Sequence, residues 1–128
     1  MQTGVVFVGL PPKGSIKVID DETIVPKALK NVGYEIAEFA QSFEAGRKLL
    51  ARGANDGISI LVDYRLGNEK YGTELIAEQS IRRQVFLCSN DYDSLELVKK
   101  AKEIGVKILP KALCFFTETS SFEIEADV

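Results

Sequence analysis

The chain has 128 residues, of which 45% are hydrophobic and 27% charged, a composition typical of one globular domain rather than of a disordered segment. Its formal net charge is −3 and it contains no histidine, which argues against a nucleic-acid-binding surface, a zinc site and a Ser-His or Cys-His nucleophile pair. Cys88 and Cys114 lack metal-ligand spacing, and there is neither a membrane-length apolar run nor a signal peptide, so we expect reduced thiols in a cytoplasmic domain.

Short apolar runs alternate with amphipathic stretches along the chain, a pattern typical of strands alternating with helices. The first apolar run, within residues 1–15, is predicted as a strand that is followed by a Pro-Gly linker. Beyond it the predicted strands cover residues 16–19, 34–40, 58–62, 85–89 and 106–109. The predicted helices cover residues 22–33, 43–53, 73–83 and 93–105. Residues 112–116 are predicted to begin a short closing helix before a polar tail.

Serine and aspartate residues precede two of these helices and are suited to cap them. Ser42 is predicted to cap the helix at 43–53, and Asp91 or Asp93 the helix at 93–105. The apolar stripe of the latter helix is predicted to include Leu95 and Val98.

The alternation of strands and helices predicts an α/β fold with a five-stranded parallel sheet. Right-handed crossovers make this sheet doubly wound, with helices on both faces and therefore three layers. In such sheets the functional site lies beyond the carboxyl ends of the strands.

Polar residues follow four of the predicted strands and would meet at that edge of the sheet. They are Asp20, Asp21 and Glu22 after residues 16–19, Asp63 after 58–62, Ser89 at the end of 85–89 with Asn90 and Asp91 after it, and Lys111 after 106–109. Several carboxylates with few neutral ligands suit Mg²⁺, which binds one or two carboxylates together with a phosphate and water. Lys111 would add a positive charge and Ser89 a hydroxyl donor.

This set of residues resembles the receiver domain of two-component response regulators over residues 15–117. The segment YGTELI at 71–76 is similar to the glycine-containing start of that family's third helix. The resemblance implies a flavodoxin-like fold and a phosphoacceptor domain rather than a turnover enzyme. It implies as partner a histidine kinase or a phosphotransfer domain, in cis or in trans, whose phosphohistidine donates the phosphoryl group.

The resemblance also implies a role for each site residue. Asp63 would accept the phosphoryl group. Asp20 or Asp21, chiefly Asp21, would bind Mg²⁺ together with Asp63 and the backbone carbonyl of Arg65. Two further residues would contact the phosphoryl oxygens, namely Ser89 as the switch hydroxyl and Lys111 as the lysine. Phosphoryl transfer depends mainly on positioning and charge neutralisation, which such a set can provide.

The chain departs from the family pattern at several positions. The usual Lys-Pro order is replaced by Pro110-Lys111-Ala112, which predicts a rearranged loop around the lysine. Ile108 stands at the aromatic switch position, so aromatic gating is expected to be absent or altered. Gly67 stands where the family has proline, and the segment after Phe116 predicts a last helix that is short or degenerate.

Arg65 and Asp91 follow Asp63 and Ser89 by two residues each. In the family these positions flank the path of the water that hydrolyses the phosphoaspartate. We hypothesise that the two side chains pair across the mouth of the pocket and slow hydrolysis. The alternative is two exposed side chains that do not interact.

The predicted domain organisation is a segment at 1–14, a receiver domain at 15–117 and a polar tail at 118–128. The first segment, with TGVVFVGLPPKG, resembles the exit of a sensor-kinase ATP-binding domain, which would make the chain the C-terminal receiver of a bacterial hybrid histidine kinase. The alternative for this segment is an extra edge strand or a tail on a single-domain regulator.

Three other functions compete with a phosphorylated receiver. A pseudo-receiver would use the same fold as a constitutive protein-interaction module. An aspartyl-phosphate phosphatase would need an acid two residues after the nucleophile, where Arg65 stands. A nucleotide-binding flavodoxin-like protein would need a Gly/Ser/Thr-rich loop after the strand at 16–19, where the sequence is the acidic DDET.

Overall fold

The structure, a computed structural model, describes residues 4–53, 56–79, 84–115 and 123–126. The strands are β1 (Val5–Val8), β2 (Ser15–Ile19), β3 (Glu35–Ala40), β4 (Ser59–Asp63), β5 (Val85–Ser89), β6 (Lys107–Pro110) and β7 (Glu123–Ala126). The α-helices are α1 (Ile24–Asn31), α2 (Phe43–Gly53), α3 (Gly72–Ala77) and α4 (Leu95–Ile104), and a 3-10 helix covers Lys111–Phe115.

The predicted doubly wound sheet is confirmed, but it has seven strands rather than five, in the order β3-β2-β4-β5-β6-β1-β7. Strands β2 to β6 form the predicted parallel part. The additional strands lie beside β6, where β1 pairs in parallel and β7 pairs antiparallel with β1. The apolar residues of β1 have high strand propensity, and β6 without a neighbour would present unpaired backbone groups. The first segment thus forms the extra strand that was one of its two predicted alternatives, and part of the predicted polar tail extends the sheet further.

Two hydrophobic cores lie on opposite faces of the sheet, which gives the predicted three layers. One core packs under α2, α3 and α4 and includes Ile60, Val62 and Ile108. The other packs under α1 and the 3-10 helix and includes Leu61 and Leu29. Successive residues of β4 point to opposite faces, and all after Ser59 are buried, as expected for a central parallel strand.

Helix α4 begins later than predicted, and its cap is neither of the predicted aspartates. Ser94 is the N-cap, and its hydroxyl accepts a hydrogen bond from the Leu97 amide at 3.4 Å. Starting at Leu95 places Leu97 and Val98 in the core, whereas the Leu95 side chain is 82% exposed. The predicted cap of α2 is confirmed, because the Ser42 hydroxyl accepts a hydrogen bond from the Ala45 amide at 3.1 Å.

Helix α3 and the closing helix also differ from the prediction, the first in length and the second in type. Helix α3 ends at Ala77 instead of residue 83, because the Glu78 and Gln79 amides donate to carbonyls three residues back, which tightens the last turn. Residues 80–83 lie outside the described residues. The predicted closing helix is a 3-10 helix that carries the buried Cys114 into the second core, and Phe116 lies outside the described residues. Within the described ranges, none of the helices is long and apolar enough to span a membrane.

Candidate functional site

The carboxyl ends of β2, β4, β5 and β6 meet at one edge of the sheet, and the predicted polar residues lie there. Asp20 directly follows β2, Asp63 and Ser89 are the last residues of β4 and β5, and Lys111 directly follows β6. Asp63, Ser89 and Lys111 border a cavity of about 320 Å³. Its lining residues are Asp21, Glu22, Asp63, Arg65, Gly67, Ser89, Asn90, Asp91 and Lys111.

A buried ion-pair cluster occupies the centre of this edge. The Lys111 Nζ atom lies 3.0 Å from Asp63 Oδ1 and 3.5 Å from Asp20 Oδ2. The Asp20 and Asp63 residues are only 2% and 8% exposed. Lys111 reaches Asp63 although its order with Pro110 is reversed relative to the family. It does so from the first position of the 3-10 helix, and no cis peptide bond occurs in the described residues.

The electrostatics of the cluster favour protonation of Asp63. Burial, and after it the nearby charge of Asp20, raise the pKa of the Asp63 carboxyl to about 7, against the opposing effect of Lys111. The pKa of Lys111 is lowered by burial, but the charges of Asp63 and Asp20 outweigh this effect and leave it raised. Lys111 is therefore cationic at neutral pH, while Asp63 titrates close to neutrality.

Three carboxylates could hold a divalent cation. Asp20, Asp21 and Asp63 each have an oxygen within 4.8 Å of an oxygen of the other two. Two hydrogen bonds hold Asp20 in place. Its amide donates to the Ala40 carbonyl at 3.0 Å, and its Oδ1 accepts from the Glu22 amide at 2.9 Å. Asp21 is exposed on the cavity wall. Hard oxygen donors in this number fit Mg²⁺ or Ca²⁺ better than softer metals.

The loop after Asp63 folds back onto the strand end. Arg65 and Tyr71 form an antiparallel bridge, and the Gly72 amide donates to the Tyr64 carbonyl at 2.7 Å. A Cβ atom on Gly72 would lie 2.0 Å from the Asp63 carbonyl oxygen, so only glycine fits there. This contact gives a physical reason for the glycine in the YGTELI segment. Gly67, with φ of +104°, forms the turn at the cavity rim.

Ser89 has a buried hydroxyl that accepts a hydrogen bond within its own turn. Its Oγ accepts a hydrogen bond from the Asp91 amide at 3.0 Å, and the residue is 4% exposed. The hydroxyl proton is therefore available for an acceptor in the cavity.

Arg65 and Asp91 lie at the mouth of the cavity, and the predicted pairing of their side chains is present. Arg65 Nη2 lies 3.6 Å from Asp91 Oδ2, with the side chains 63% and 53% exposed. The Arg65 guanidinium also lies 5.5 Å from the centre of the Tyr64 ring. The effect of this pair on hydrolysis stays a prediction.

The sequence analysis missed Tyr64, which connects the site to α4. Tyr64 is 4% exposed, and its hydroxyl donates to Glu96 Oε1 at 3.3 Å. Burial raises its pKa. The only signal in the sequence was an aromatic residue directly after Asp63.

Ile108, at the family's aromatic switch position, is fully buried in the core under α2, α3 and α4.

Comparison with known proteins finds the fold among solved structures. No protein-family model and no curated protein sequence matches the chain. The signal receiver domain of NarL from Mycobacterium tuberculosis matches with a TM-score of 0.60 and 22% identity, covering 82% of this chain and 92% of that one. A CheY-like receiver domain from Methanospirillum hungatei matches with a TM-score of 0.54 and 23% identity, covering 77% and 80%.

A further match carries ligands at its own site. It is a response regulator from Burkholderia pseudomallei, with a phosphorylated aspartic acid, a calcium ion and citrate. The TM-score is 0.54 at 26% identity, and the match covers 77% of this chain and 59% of that one.

Proposed function

We propose that this chain, which has the fold of a response-regulator receiver domain, is a phosphoacceptor switch of a two-component phosphorelay. Asp63 would take the phosphoryl group from a phosphohistidine on a histidine kinase or phosphotransfer domain. The observation that carries the proposal is the cluster at the end of β4, where Lys111 lies 3.0 Å from Asp63 and two further aspartates flank the same point.

In the proposed reaction, an oxygen of the ionised Asp63 carboxylate bonds to phosphorus while the bond from phosphorus to the donor's histidine nitrogen breaks. Asp20, Asp21 and Asp63 would hold Mg²⁺, with the Arg65 carbonyl as a further ligand. When bound, Mg²⁺ supplies charge neutralisation for the transferring phosphoryl oxygens. Lys111 stabilises the same oxygens with its ammonium group, because it is cationic and already within reach of Asp63.

Ser89 would report the modification to the rest of the domain. Its hydroxyl proton is available, so a phosphoryl oxygen on Asp63 gives it an acceptor inside the cavity. Movement of the Ser89 turn would reach α4, because the Ser94 amide donates to the Asp91 carbonyl at 2.9 Å. Switching through an aromatic side chain at position 108 is not available to this chain, since Ile108 stands there.

The origin of the chain in a hybrid histidine kinase is a separate part of the proposal, and the pairing of β1 does not support it. Residues 5–8 form a strand of this sheet next to β6. That favours the alternative in which the segment is an extra strand of the receiver.

The experiment is intact-mass measurement after incubation with Mg²⁺ and acetyl phosphate. We expect a gain of one phosphoryl group in the wild type, no gain in Asp63→Asn, and loss of the gain when a chelator is added. Asp93→Asn is the matched control, because Asp93 is exposed and outside the cavity lining. This control should be modified like the wild type.

A pseudo-receiver is the second candidate, favoured by the buried Ile108 at the switch position. It predicts no phosphoryl gain in either protein and no Mg²⁺ binding. That outcome would overturn the proposed switch. A gain that survives in Asp63→Asn would show instead that another residue is the acceptor.

A further inference from the structure

A groove separate from the cavity runs between α3 and α4. It has a volume of about 370 Å³ and is lined by residues of both helices and of the loop after β4. The residues that matter here are Tyr64, Tyr71, Glu74, Glu96, Lys100 and Glu103. None of them is among the residues of the phosphoacceptor site. We call it the α3–α4 groove.

The charge of the α3–α4 groove is negative. Three carboxylates and one lysine line it, which leaves a net charge of minus two. The Nζ atom of Lys100 lies 3.9 Å from Glu103 Oε2, so this lysine partly neutralises the charge of Glu103. Among residues that the structure describes, Glu74 has no ion pair, and the Glu96 carboxylate accepts a hydrogen bond only from the Tyr64 hydroxyl. Two exposed carboxylates therefore remain for an external cation.

Two tyrosines form the aromatic part of the groove, and contacts within the chain hold them in place. The ring centres of Tyr64 and Tyr71 lie 5.0 Å apart with an angle of 37° between the planes. Tyr64 is buried and anchored to Glu96, whereas Tyr71 is partly exposed. Aromatic faces next to carboxylates bind guanidinium and ammonium groups. Tyr64 already makes such a contact within the chain, because the Arg65 guanidinium lies 5.5 Å from the centre of its ring.

The spacing of the acids indicates what length of ligand would fit. Glu96 and Glu103 are seven residues apart on α4, which corresponds to roughly 10 Å along the helix axis. Alternate side chains of an extended peptide face the same way, and the backbone advances about 13 Å in four residues. Two basic side chains at positions i and i+4 of an extended segment, with their flexible stems, would therefore reach both ends of the groove, with an apolar residue at i+2 against the tyrosines.

We propose that the α3–α4 groove is a docking surface for a basic, partly apolar peptide segment of a partner protein. The chemistry that recognises it is charge complementarity to Glu74, Glu96 and Glu103 together with stacking of one arginine or lysine on Tyr71. The groove is present in the unmodified chain, so the binding can be tested without phosphorylation of Asp63.

The test is a titration of the ¹⁵N-labelled full chain with a probe peptide, acetyl-Gly-Leu-Arg-Ala-Leu-Ala-Arg-Leu-Gly-amide. The matched control peptide carries citrulline, the neutral analogue, in place of both arginines. We expect the arginine peptide to shift backbone amide resonances of residues 71–74 and 96–103, with binding that weakens as salt is raised. The citrulline peptide should leave these resonances nearly unchanged.

Variants connect the binding to the named carboxylates. Glu74→Gln combined with Glu96→Gln should weaken binding of the arginine peptide by roughly fivefold or more. Glu44→Gln is the matched control, an exposed glutamate on α2 that does not line the groove, and it should bind like the wild type. Thermal unfolding of each variant checks that it is folded.

Three outcomes would overturn the proposal. Equal shifts with the citrulline peptide would show that charge does not select the ligand. Shifts that map to another surface would place the binding elsewhere. Shifts of the groove amides by spermidine but not by the arginine peptide would make the groove a small-cation site and not a peptide-docking surface.

Discussion

The environment of Asp63 makes this one residue costly to ionise. Its pKa is raised from 3.8 to about 7, chiefly by burial and then by the charge of Asp20. Between these two pH values the folded protein holds a proton that the unfolded chain has lost. The contribution of Asp63 to the free energy of unfolding is therefore most favourable at the acidic end of this window, and it falls as the pH rises through about 7.

Asp63→Asn should consequently stabilise the metal-free protein, because it removes a carboxylate that is ionised at a cost in the folded state. We expect the free energy of unfolding to rise by about 1–3 kcal/mol at pH 8 and by clearly less at pH 5. Urea unfolding in the presence of a chelator measures both values. Asp93→Asn should change neither, and an equal gain at the two pH values would contradict the assignment to Asp63.

Arg65→Ala tests the ion pair at the cavity mouth. Removing the guanidinium breaks its contact with Asp91 and opens the approach of water to the phosphorylated Asp63. We expect the half-life of the phosphoryl group to shorten by roughly two- to fivefold, the range expected for an exposed pair. Intact mass followed over time after removal of acetyl phosphate measures it. An unchanged half-life would show that the pair does not slow hydrolysis.

At the residue scale, the site could be predicted as far as it depends on strand ends. Asp63 and Ser89 directly end buried apolar runs, so their common location at the edge of the sheet follows from topology. The role of Gly72 could not be predicted physically, because its contact with the Asp63 carbonyl depends on a loop that folds back in space. The same holds for the hydrogen bond from Tyr64 to Glu96, whose partners are 32 residues apart.

At the scale of elements, the start of α4 shows where local patterns are ambiguous. Asp91, Asp93 and Ser94 are all suitable caps, and the sequence alone cannot rank them. Ser94 is the cap in the structure because the residues before it already form a hydrogen-bonded turn. The Asp91 amide donates to the Ser89 hydroxyl, and the Asp91 carbonyl accepts from the Ser94 amide. The cap of α4 is thereby tied to the strand end that carries Ser89.

Ser94→Ala should lower the free energy of unfolding by about 1 kcal/mol, because it leaves the Leu97 amide without its side-chain acceptor. Asp93→Ala, the neighbouring residue that the pattern also favoured, should change it by only a few tenths of a kcal/mol. Urea unfolding of the two variants gives the comparison. A larger effect for Asp93→Ala would contradict the cap seen in the structure.

At the scale of the whole molecule, the parallel part of the sheet followed from the alternation of strands and helices. The positions of the two added strands did not follow from it, because β1 and β7 are far apart in sequence. Strand β1 pairs with β6 and with β7, and β7 pairs with β1. Such pairing depends on which edge is open in the folded sheet. No periodicity within TGVVFVGL or FEIEADV indicates that edge.

Removal of residues 123–128 should leave β1 as an exposed apolar edge strand. We expect the free energy of unfolding to fall by about 1–2 kcal/mol and the shortened protein to self-associate through the open edge. Sedimentation velocity measures the association. Phosphorylation by acetyl phosphate should persist, because β7 lies at the far edge of the sheet from the Asp63 cavity. A shortened protein that stays monomeric at high concentration would contradict this role of β7.

The antiparallel register of β1 and β7 has a consequence for protein engineering. Val5 is paired with Ala126, so the two positions lie about 5 Å apart. Because β1 runs parallel to β6, this pair sits at the opposite end of the strands from the cavity. A short Gly-Ser linker could therefore join the two positions into a circular permutant, with new termini opened at the exposed turn around Gly57. The same adjacency would allow the domain to be inserted whole into a surface loop of a host protein, with the cavity that Asp63 lines facing away from the host.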